Sequence, residues 1–382
     1  MAPRSSRSVL IQTLLVASST LTGLLIAEVY LRLTNYPVPR IEVVRRDDTV
    51  SPLRELFQLH QPSLFRETSE GWRLEPNTTV TVEQNGVVEL STNSFGLRNR
   101  ELGEKSGPRI LFLGDSLTMA RGIPEPDTFV RQIESIARGS GRNIETVNGG
   151  IEGASLRDEV AILSEIVDRV KPDYVVLCFC LNDTITIPAQ ETLVPPRLLN
   201  GSHVIRFLYY HLSIRAFPRK KLMRPGELPE NYLELWRSDL VNSEPREAGD
   251  PWNSPGAFNA MKLEHLELFG AAWSKSAWTI IERNLEALAS LSQTKGFNVA
   301  LVVFPLRIQV EASYLDDFPQ RMLAELAAKE GFPVFDLLPA LREAYHAAPE
   351  VPLYFPNDWL HFTQAGHERI ASELLPFISK LL

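Results

Sequence analysis

Residues 109–116 of this chain read Arg-Ile-Leu-Phe-Leu-Gly-Asp-Ser. The first five positions are mainly β-favouring apolar residues, which predicts a short buried strand, and the turn after it places the Ser116 hydroxyl at the strand's end. Near the C-terminus, Asp358 and His361 lie three residues apart. Serine needs a histidine to take its proton, and that histidine needs a carboxylate to fix its tautomer. These residues therefore have the pattern of an activated serine nucleophile.

Segments that favour strands and segments that favour helices alternate after that first strand. Further strands are predicted near 144–148, 173–181, 297–304 and 333–335, and helices near 127–138, 155–170, 273–291 and 364–381. This alternation implies an α/β protein whose parallel sheet is covered by helices on both faces. Such sheets bind ligands at the carboxyl ends of their strands, which is where Ser116 is expected.

Two more polar motifs follow predicted strands. Residues 148–155 read Asn-Gly-Gly-Ile-Glu-Gly-Ala-Ser, and Asn182 comes directly after the third strand. Together with Gly-Asp-Ser and Asp-x-x-His, these segments resemble the four blocks of the SGNH hydrolases, also called GDSL esterases and lipases. The resemblance covers residues 107–382 and implies a three-layer α/β/α, flavodoxin-like fold with a parallel sheet of about five strands.

The resemblance implies a catalytic role for three residues. Ser116 would be the nucleophile, His361 the general base and then the general acid, and Asp358 the carboxylate that orients His361. The implied activity is ester hydrolysis through an acyl-Ser116 intermediate, without a cofactor. The α/β-hydrolase family does not fit, because the Gly-x-Ser-x-Gly elbow is missing around Ser116.

The resemblance also implies an oxyanion hole with three hydrogen-bond donors. These are the backbone N–H of Ser116, the backbone N–H of Gly153 and the side-chain amide of Asn182. Gly150 is the alternative to Gly153 if the second block aligns one turn earlier. The family often has a glycine before the asparagine, whereas Leu181 stands here and predicts a bulkier entry to the pocket.

The other polar and sulfur-containing candidates are expected to be structural. Asp115 is predicted to form a structural hydrogen bond, and His367 is predicted to lie on an exposed helix. The remaining histidines have no metal-ligand spacing, so no metal site is predicted. Cys178 and Cys180 are predicted to be small apolar core residues rather than a disulfide.

The N-terminus contains an uncharged stretch, Val9 to Ala27, which is 19 residues long and follows two arginines. About 20 apolar residues cross a bilayer as a helix. We predict a short tail at 1–8, a transmembrane signal anchor at 9–33, and a single-pass membrane protein with its catalytic domain outside the membrane. The alternative is a secreted protein whose signal peptide is cleaved near residues 17–19.

Two regions interrupt or precede the catalytic pattern. Residues 34–106 are predicted to form a small β-rich extension, since 78–90 alternate around Asn85-Gly86 like a hairpin. Residues 184–272 form an insertion in which an apolar stretch at 203–212 precedes a basic cluster. That cluster is Arg215, Arg219, Lys220, Lys221 and Arg224. The insertion is interpreted either as a lid near the membrane surface or as a plain surface insertion.

Charge and composition limit the function. The formal net charge is −8, so a nucleic-acid partner has no electrostatic support. The first hypothesis is an ester hydrolase acting on an acylated lipid or glycan. An O-acyltransferase of a cell-envelope glycan with the same triad is the alternative, and a non-catalytic scaffold is disfavoured because every catalytic residue is present.

Overall fold

The structure is a computed structural model, and it describes part of the chain. The described residues are 6–34, 63–68, 71–83, 87–184, 202–205, 208, 250–264, 269–356 and 358–382. Contacts between residues divide the chain into two units. One unit consists of residues 1–46 and 189–230, and the other of residues 47–188 and 231–382.

The first unit contains a long N-terminal helix, α1 (Ser6–Leu33). Its Glu28 accepts hydrogen bonds from the backbone N–H of His203 at 3.0 Å, the N–H of Val204 at 2.8 Å and the Ser202 hydroxyl at 2.7 Å. No helix among the described residues is both long enough and apolar enough to cross a membrane. The anchor at 9–33 therefore stays a prediction, and the basic cluster of the insertion lies outside the described residues.

The second unit begins with two strand pairs before the main sheet. Strands β1 (Phe65–Thr68) and β2 (Gly71–Leu74) are antiparallel, as are β3 (Thr79–Glu83) and β4 (Val87–Ser91). The predicted hairpin is thus confirmed, while its Asn85-Gly86 turn lies outside the described residues. The extension packs on the sheet, because its buried leucines belong to the same core cluster as the interior residues of the first sheet strand.

Five parallel strands form the main sheet. They are β5 (Arg109–Gly114), β6 (Glu145–Gly150), β7 (Tyr174–Cys180), β8 (Asn298–Phe304) and β9 (Val334–Asp336). Their order is β6-β5-β7-β8-β9, so β5 and β7 lie in the interior of the sheet. Both strands are almost entirely buried, as expected for strands covered on both faces. The predicted five-stranded parallel sheet is confirmed.

Nine helices of this unit are described. They are α2 (Ser116–Met119), α3 (Phe129–Gly139), α4 (Leu156–Val170), α5 (Pro255–Glu264), α6 (Trp278–Lys295), α7 (Arg307–Glu311), α8 (Phe318–Lys329), α9 (Leu338–Ala347) and α10 (Gln364–Leu381). Alternate side chains of β5 enter two cores: Leu111 and Leu113 pack with α4, α6 and α8, whereas Ile110 and Phe112 pack with α3, α9 and α10. The fold is therefore a three-layer α/β/α sandwich. Cys178 and Cys180 are buried in the second core as free thiols.

Candidate active site

The nucleophile region is a tight turn at the carboxyl end of β5. Asp115 caps α2, since its Oδ1 accepts the Leu117 N–H at 2.9 Å. The helix ends after one turn because Ala120 adopts the left-handed conformation, with φ of 54°, and its N–H donates to the Ser116 carbonyl at 2.8 Å. This geometry places Ser116 at the first helical position, next to the strand end.

Ser116, His361 and Asp358 form a continuous hydrogen-bonded chain. Ser116 Oγ lies 2.8 Å from His361 Nε2, and His361 Nδ1 lies 2.9 Å from Asp358 Oδ2. The Asp358 side chain is only 3% exposed, and its Oδ1 also accepts the backbone N–H of His361 at 3.1 Å. A carboxylate can only accept here, so it holds a proton on Nδ1 and leaves Nε2 free to accept the Ser116 proton.

The structure distinguishes Gly150 from Gly153, the two candidate glycines of the oxyanion hole. The Gly150 N–H already donates to Asn148 Oδ1 at 2.9 Å, and a Cβ on Gly150 would lie 2.2 Å from the Met119 backbone nitrogen. Gly150 is thus required for close packing against the nucleophile turn. Gly153 has a φ of 71°, which favours glycine, and within the described residues its N–H has no acceptor. Of the two glycines, Gly153 is thus the one whose N–H is available for a further acceptor.

Asn182 is held by the residue beside the nucleophile. It lies on the short 3₁₀ turn Leu181–Thr184 after β7, and its Nδ2 donates to Asp115 Oδ2 at 2.9 Å. This bond fixes which end of the amide is the nitrogen and leaves the second N–H of that nitrogen for another acceptor. The expected structural role of Asp115 is therefore specific: it caps α2 and orients Asn182.

Asp115 belongs to a buried group of three acids, which we call the carboxyl cluster: Asp115, Glu159 and Asp183. Burial raises the pKa of Asp115, and hydrogen bonds from Asn182 and Leu117 oppose that rise. Burial and the neighbouring acids raise the pKa of Glu159 and that of Asp183 well above the usual range. Neither carboxyl oxygen of Glu159 has a hydrogen-bond partner in the described part of the chain. We infer that Glu159 carries a proton in the folded protein, because its ionised form would be neither hydrated nor paired.

Arg98, from the extension, holds the loop after the nucleophile. Its guanidinium is fully buried and donates to the backbone carbonyls of Met119, Ala120 and Ile123. Burial lowers the pKa of Arg98 to about 10, so it stays charged at neutral pH. The sequence analysis did not predict this contact, because no local pattern around a single arginine after a predicted hairpin indicates which residues its side chain contacts.

A small open cavity adjoins Ser116 and His361. Its apolar lining comes from Leu117, Ala120, Ile123, Phe355 and Phe362. Arg121 and Glu152 also line the cavity and form an ion pair, in which Arg121 Nη1 donates to Glu152 Oε2 at 2.9 Å. We call Arg98 and Arg121 the arginine pair. In the part of the chain that is described, no group of histidine, cysteine and acidic side chains could hold a metal ion.

His367 also lines this cavity, and here the sequence prediction was wrong. Its side chain is buried rather than exposed, it stacks on Phe129, and its Nδ1 accepts the Phe129 N–H at 3.2 Å. Burial lowers the pKa of His367 to about 3, so the ring is neutral. The helix α10 begins where predicted, but its first turn packs against α3 and so buries this histidine.

Comparison with known proteins identifies the family. The GDSL-like lipase/acylhydrolase family model matches residues 112–369, which is more than half of the chain and includes the complete hydrogen-bonded chain from Ser116 to Asp358. The protein belongs to this family, and it is an enzyme that hydrolyses ester bonds. The predicted resemblance to SGNH hydrolases is thereby confirmed. No curated protein matches the sequence.

Several solved structures are similar to this chain. An acetyl xylan esterase, AlAXEase, is 14% identical, with 71% of this chain and 99% of that chain covered and a TM-score of 0.39. A lipase/acylhydrolase from Enterococcus faecalis is 16% identical over 72% and 97% of the two chains, with a TM-score of 0.38. A catalytic mutant of the acetylxylan esterase Axe2 from Geobacillus stearothermophilus is 18% identical over 72% and 96%, with a TM-score of 0.38. The family assignment rests on the family match and not on these similarities.

Proposed function

We propose that the protein hydrolyses an acylated glycan or lipid through a covalent acyl-Ser116 intermediate. The observation that carries this proposal is the position of His361, whose Nε2 lies 2.8 Å from Ser116 Oγ while Nδ1 lies 2.9 Å from Asp358. A histidine held in this way can take the serine proton at one nitrogen and remain stabilised by a carboxylate at the other.

In the first half-reaction, Ser116 Oγ attacks the ester carbonyl carbon as its proton passes to His361 Nε2. The carbonyl oxygen becomes an oxyanion, and the N–H groups of Ser116, Gly153 and Asn182 donate to it. The tetrahedral intermediate then expels the alcohol, whose oxygen takes the proton from His361. The acyl group stays on Ser116.

In the second half-reaction, water replaces the alcohol beside His361. His361 takes a proton from this water as its oxygen attacks the acyl carbon, and the same donors stabilise the second oxyanion. Collapse of this intermediate breaks the bond to Ser116 Oγ, which recovers its proton from His361. The carboxylic acid leaves, and the triad returns to its starting state.

We also propose that the catalytic domain acts outside the membrane and that residues 9–33 anchor it. The support is the sequence, which has 19 uncharged residues from Val9 to Ala27 after two arginines. Full-length protein is expected to stay with membranes after carbonate washing and to be digested when protease is added outside the cell. A shortened soluble chain that starts near residues 17–19 would instead identify a cleaved signal peptide.

The experiment that tests the reaction is labelling of the full-length protein with a fluorophosphonate probe, together with turnover of p-nitrophenyl acetate. Ser116→Ala is expected to abolish both signals. Ser164→Ala is the matched control, because Ser164 is exposed on α4 and its hydroxyl donates to the Ala161 carbonyl one turn earlier in the same helix. Loss of signal in the control, or labelling of folded Ser116→Ala, would contradict the proposal.

The acyltransferase alternative predicts a different outcome. Strong labelling of Ser116 with negligible turnover in water, and turnover restored by an added sugar acceptor, would indicate acyl transfer to a glycan hydroxyl. Folded wild-type protein with neither labelling nor turnover would contradict both activities.

A further inference from the structure

The cavity beside Ser116 has a second histidine in its wall. His367 lies in the first turn of α10, and it lines the cavity together with Ser116 and His361 although the residue is only 2% exposed. Its ring stacks on that of Phe129, with 5.7 Å between the centroids, and lies edge-on to that of Phe362. The triad uses His361 alone, so the proposed reaction leaves the role of His367 unassigned.

The hydrogen bonds of His367 fix where its proton lies. Nδ1 accepts the Phe129 N–H at 3.2 Å, so Nδ1 carries no proton. Because burial lowers the pKa of His367 to about 3, the ring holds one proton at neutral pH, and this proton is on Nε2. Nε2 has no hydrogen-bond partner in the described part of the chain, and it is not among the unpartnered atoms that the protein encloses completely. Since His367 lines the cavity, its Nε2–H is placed to donate to a molecule in the cavity.

The size of the cavity limits what this molecule can be. Inside its mouth, the cavity has room for about one water molecule. An acyl chain or a sugar ring is too large for this space, whereas water, the second substrate of an ester hydrolase, fits. Leu117, Ile123 and Phe355 make much of the wall apolar. The few polar groups of the wall therefore decide how such a water is oriented, and the apolar surroundings strengthen their hydrogen bonds.

Acylation of Ser116 changes what His361 can bond to. In the resting enzyme, Ser116 Oγ lies 2.8 Å from His361 Nε2. Once Oγ carries the acyl group it has no proton to donate, so Nε2 can accept a hydrogen bond from water in its place. A water that donates to His361 and accepts from His367 keeps a second lone pair for the acyl carbon. Held from both sides, this water is oriented for attack.

We propose that the Nε2–H of His367 binds and orients the water that hydrolyses the acyl-enzyme. This inference rests on the proposed esterase function. The water oxygen forms a bond to the acyl carbon as its proton passes to His361, and the bond from that carbon to Ser116 Oγ then breaks as Oγ takes the proton. His367 keeps its own proton throughout, so it binds the water without acting as an acid or a base.

Two substitutions separate this role from packing. In His367→Asn, the amide oxygen can replace Nδ1 as the acceptor of the Phe129 N–H, whereas the donor at Nε2 is lost. In His367→Gln, the amide nitrogen can replace Nε2 as the donor, whereas the acceptor is lost. Our proposal expects His367→Gln to keep the attack by water and His367→Asn to lose it, and a packing role expects the reverse. His346→Asn is the matched control, because His346 is exposed on α9.

The measurement is stopped-flow release of p-nitrophenol from p-nitrophenyl acetate by the full-length protein. This leaving group needs little help from a donor, so the first turnover reports acylation by the triad, and the rate after it reports attack by water. His367→Asn is expected to acylate within about threefold of the wild-type rate and to deacylate about tenfold more slowly, the effect of one lost hydrogen bond. A burst of p-nitrophenol should therefore precede its steady state. His367→Gln is expected to deacylate within about threefold of the wild-type rate although its stability to urea falls.

Three outcomes would overturn the inference while leaving the esterase function intact. One is a folded His367→Asn enzyme that deacylates at the wild-type rate. Another is the reverse ranking, in which His367→Gln deacylates more slowly than His367→Asn. The third is an equal slowing of acylation and deacylation in His367→Asn, since that would indicate a displaced triad. If His367→Gln does not fold, the burst in His367→Asn decides alone, because this variant keeps the acceptor for Phe129. Wild-type protein without fluorophosphonate labelling or turnover would instead contradict the proposed function itself.

Discussion

The carboxyl cluster and the arginine pair both adjoin Ser116, but burial affects them differently. Arg98 keeps its charge because three backbone carbonyls take the place of water around its guanidinium. Glu159 has no donor for either oxygen in the described part of the chain, and burial and its acidic neighbours raise its pKa well above the usual range. Protein acceptors thus replace part of the lost hydration of Arg98, whereas no donor among the described residues does so for Glu159.

The carboxyl cluster and the arginine pair also contact different parts of the site. The carboxyl cluster is absent from the residues that line the cavity, and it contacts the catalytic groups through the bond from Asn182 to Asp115. Of the arginine pair, Arg121 lines the cavity beside Ser116, and Arg98 holds the loop that carries Arg121. The acids therefore contact the side of Ser116 where Asn182 lies, and the arginines contact the loop that lines the cavity.

The largest expected effect tests whether Asp115 could replace Asp358 as the acid of the triad. Asp358→Asn is expected to lower kcat about 10⁴-fold, because asparagine stabilises the wrong histidine tautomer. The measurement is kcat for p-nitrophenyl acetate in folded protein. The exposed Asp168 gives a control, Asp168→Asn, that is expected to keep wild-type activity. An Asp358→Asn enzyme with more than a tenth of wild-type kcat would show that the carboxyl cluster takes part in the triad.

The next prediction compares the loss of Asn182 with a change in Asp115, the acid that orients it. Asn182→Ala is expected to lower kcat by about 10²–10³, as loss of one oxyanion donor does. Asp115→Asn keeps an acceptor but removes the charge, so a loss on the order of tenfold is expected, since charge-assisted bonds are about twice as strong as neutral ones. Both are measured as kcat with saturating substrate. A greater loss in Asp115→Asn than in Asn182→Ala would mean that Asp115 acts directly.

The third effect concerns the arginine pair. Arg98→Met leaves the carbonyls of Met119, Ala120 and Ile123 without their donor, so the free energy of unfolding is expected to fall by about 3 kcal/mol. KM is expected to rise as well, because the released loop carries Arg121. Urea unfolding and steady-state kinetics measure these changes, and Arg98→Lys should restore part of both. A loss of stability without any change in KM would show that Arg98 stabilises the fold but does not affect substrate binding.

The sequence was sufficient for the sheet and for the residues of the hydrogen-bonded triad. β5, β6, β7, β8 and β9 lie within one or two residues of their predicted bounds, because buried parallel strands are continuous apolar runs that end in turns. Ser116, Asp358 and His361 belong to short sequence motifs. Ser116 lies just after β5, whereas Asp358 and His361 lie in the loop between α9 and α10. The structure brings the three side chains together.

The residues around the triad could not be predicted in the same way. Arg98 contacts a loop more than 20 positions away, and Glu152 pairs with Arg121 across 31 positions. Neither contact leaves a local periodicity in the sequence. His367 was misplaced because a helix start looks the same whether its first turn faces solvent or packs on α3. Long-range packing decides these contacts, and local patterns do not report it.

The smallest expected effect tests the protonation of Glu159. Its pKa is raised in the folded state, so its contribution to stability is present below an unfolded-state pKa of about 4.5 and is lost as pH rises toward the folded-state value. Relative to Glu159→Gln, the wild-type free energy of unfolding should fall above pH 4.5, with a slope of up to about 1.4 kcal/mol per pH unit. Urea unfolding at pH 5, 6 and 7 measures the slope, and Glu325→Gln, exposed on α8, is the control. Parallel curves for wild type and Glu159→Gln would mean that Glu159 is ionised in the folded protein. In that case an unpaired charge would lie beside Asp183 and Asp115, and the contrast between the carboxyl cluster and the arginine pair would no longer hold.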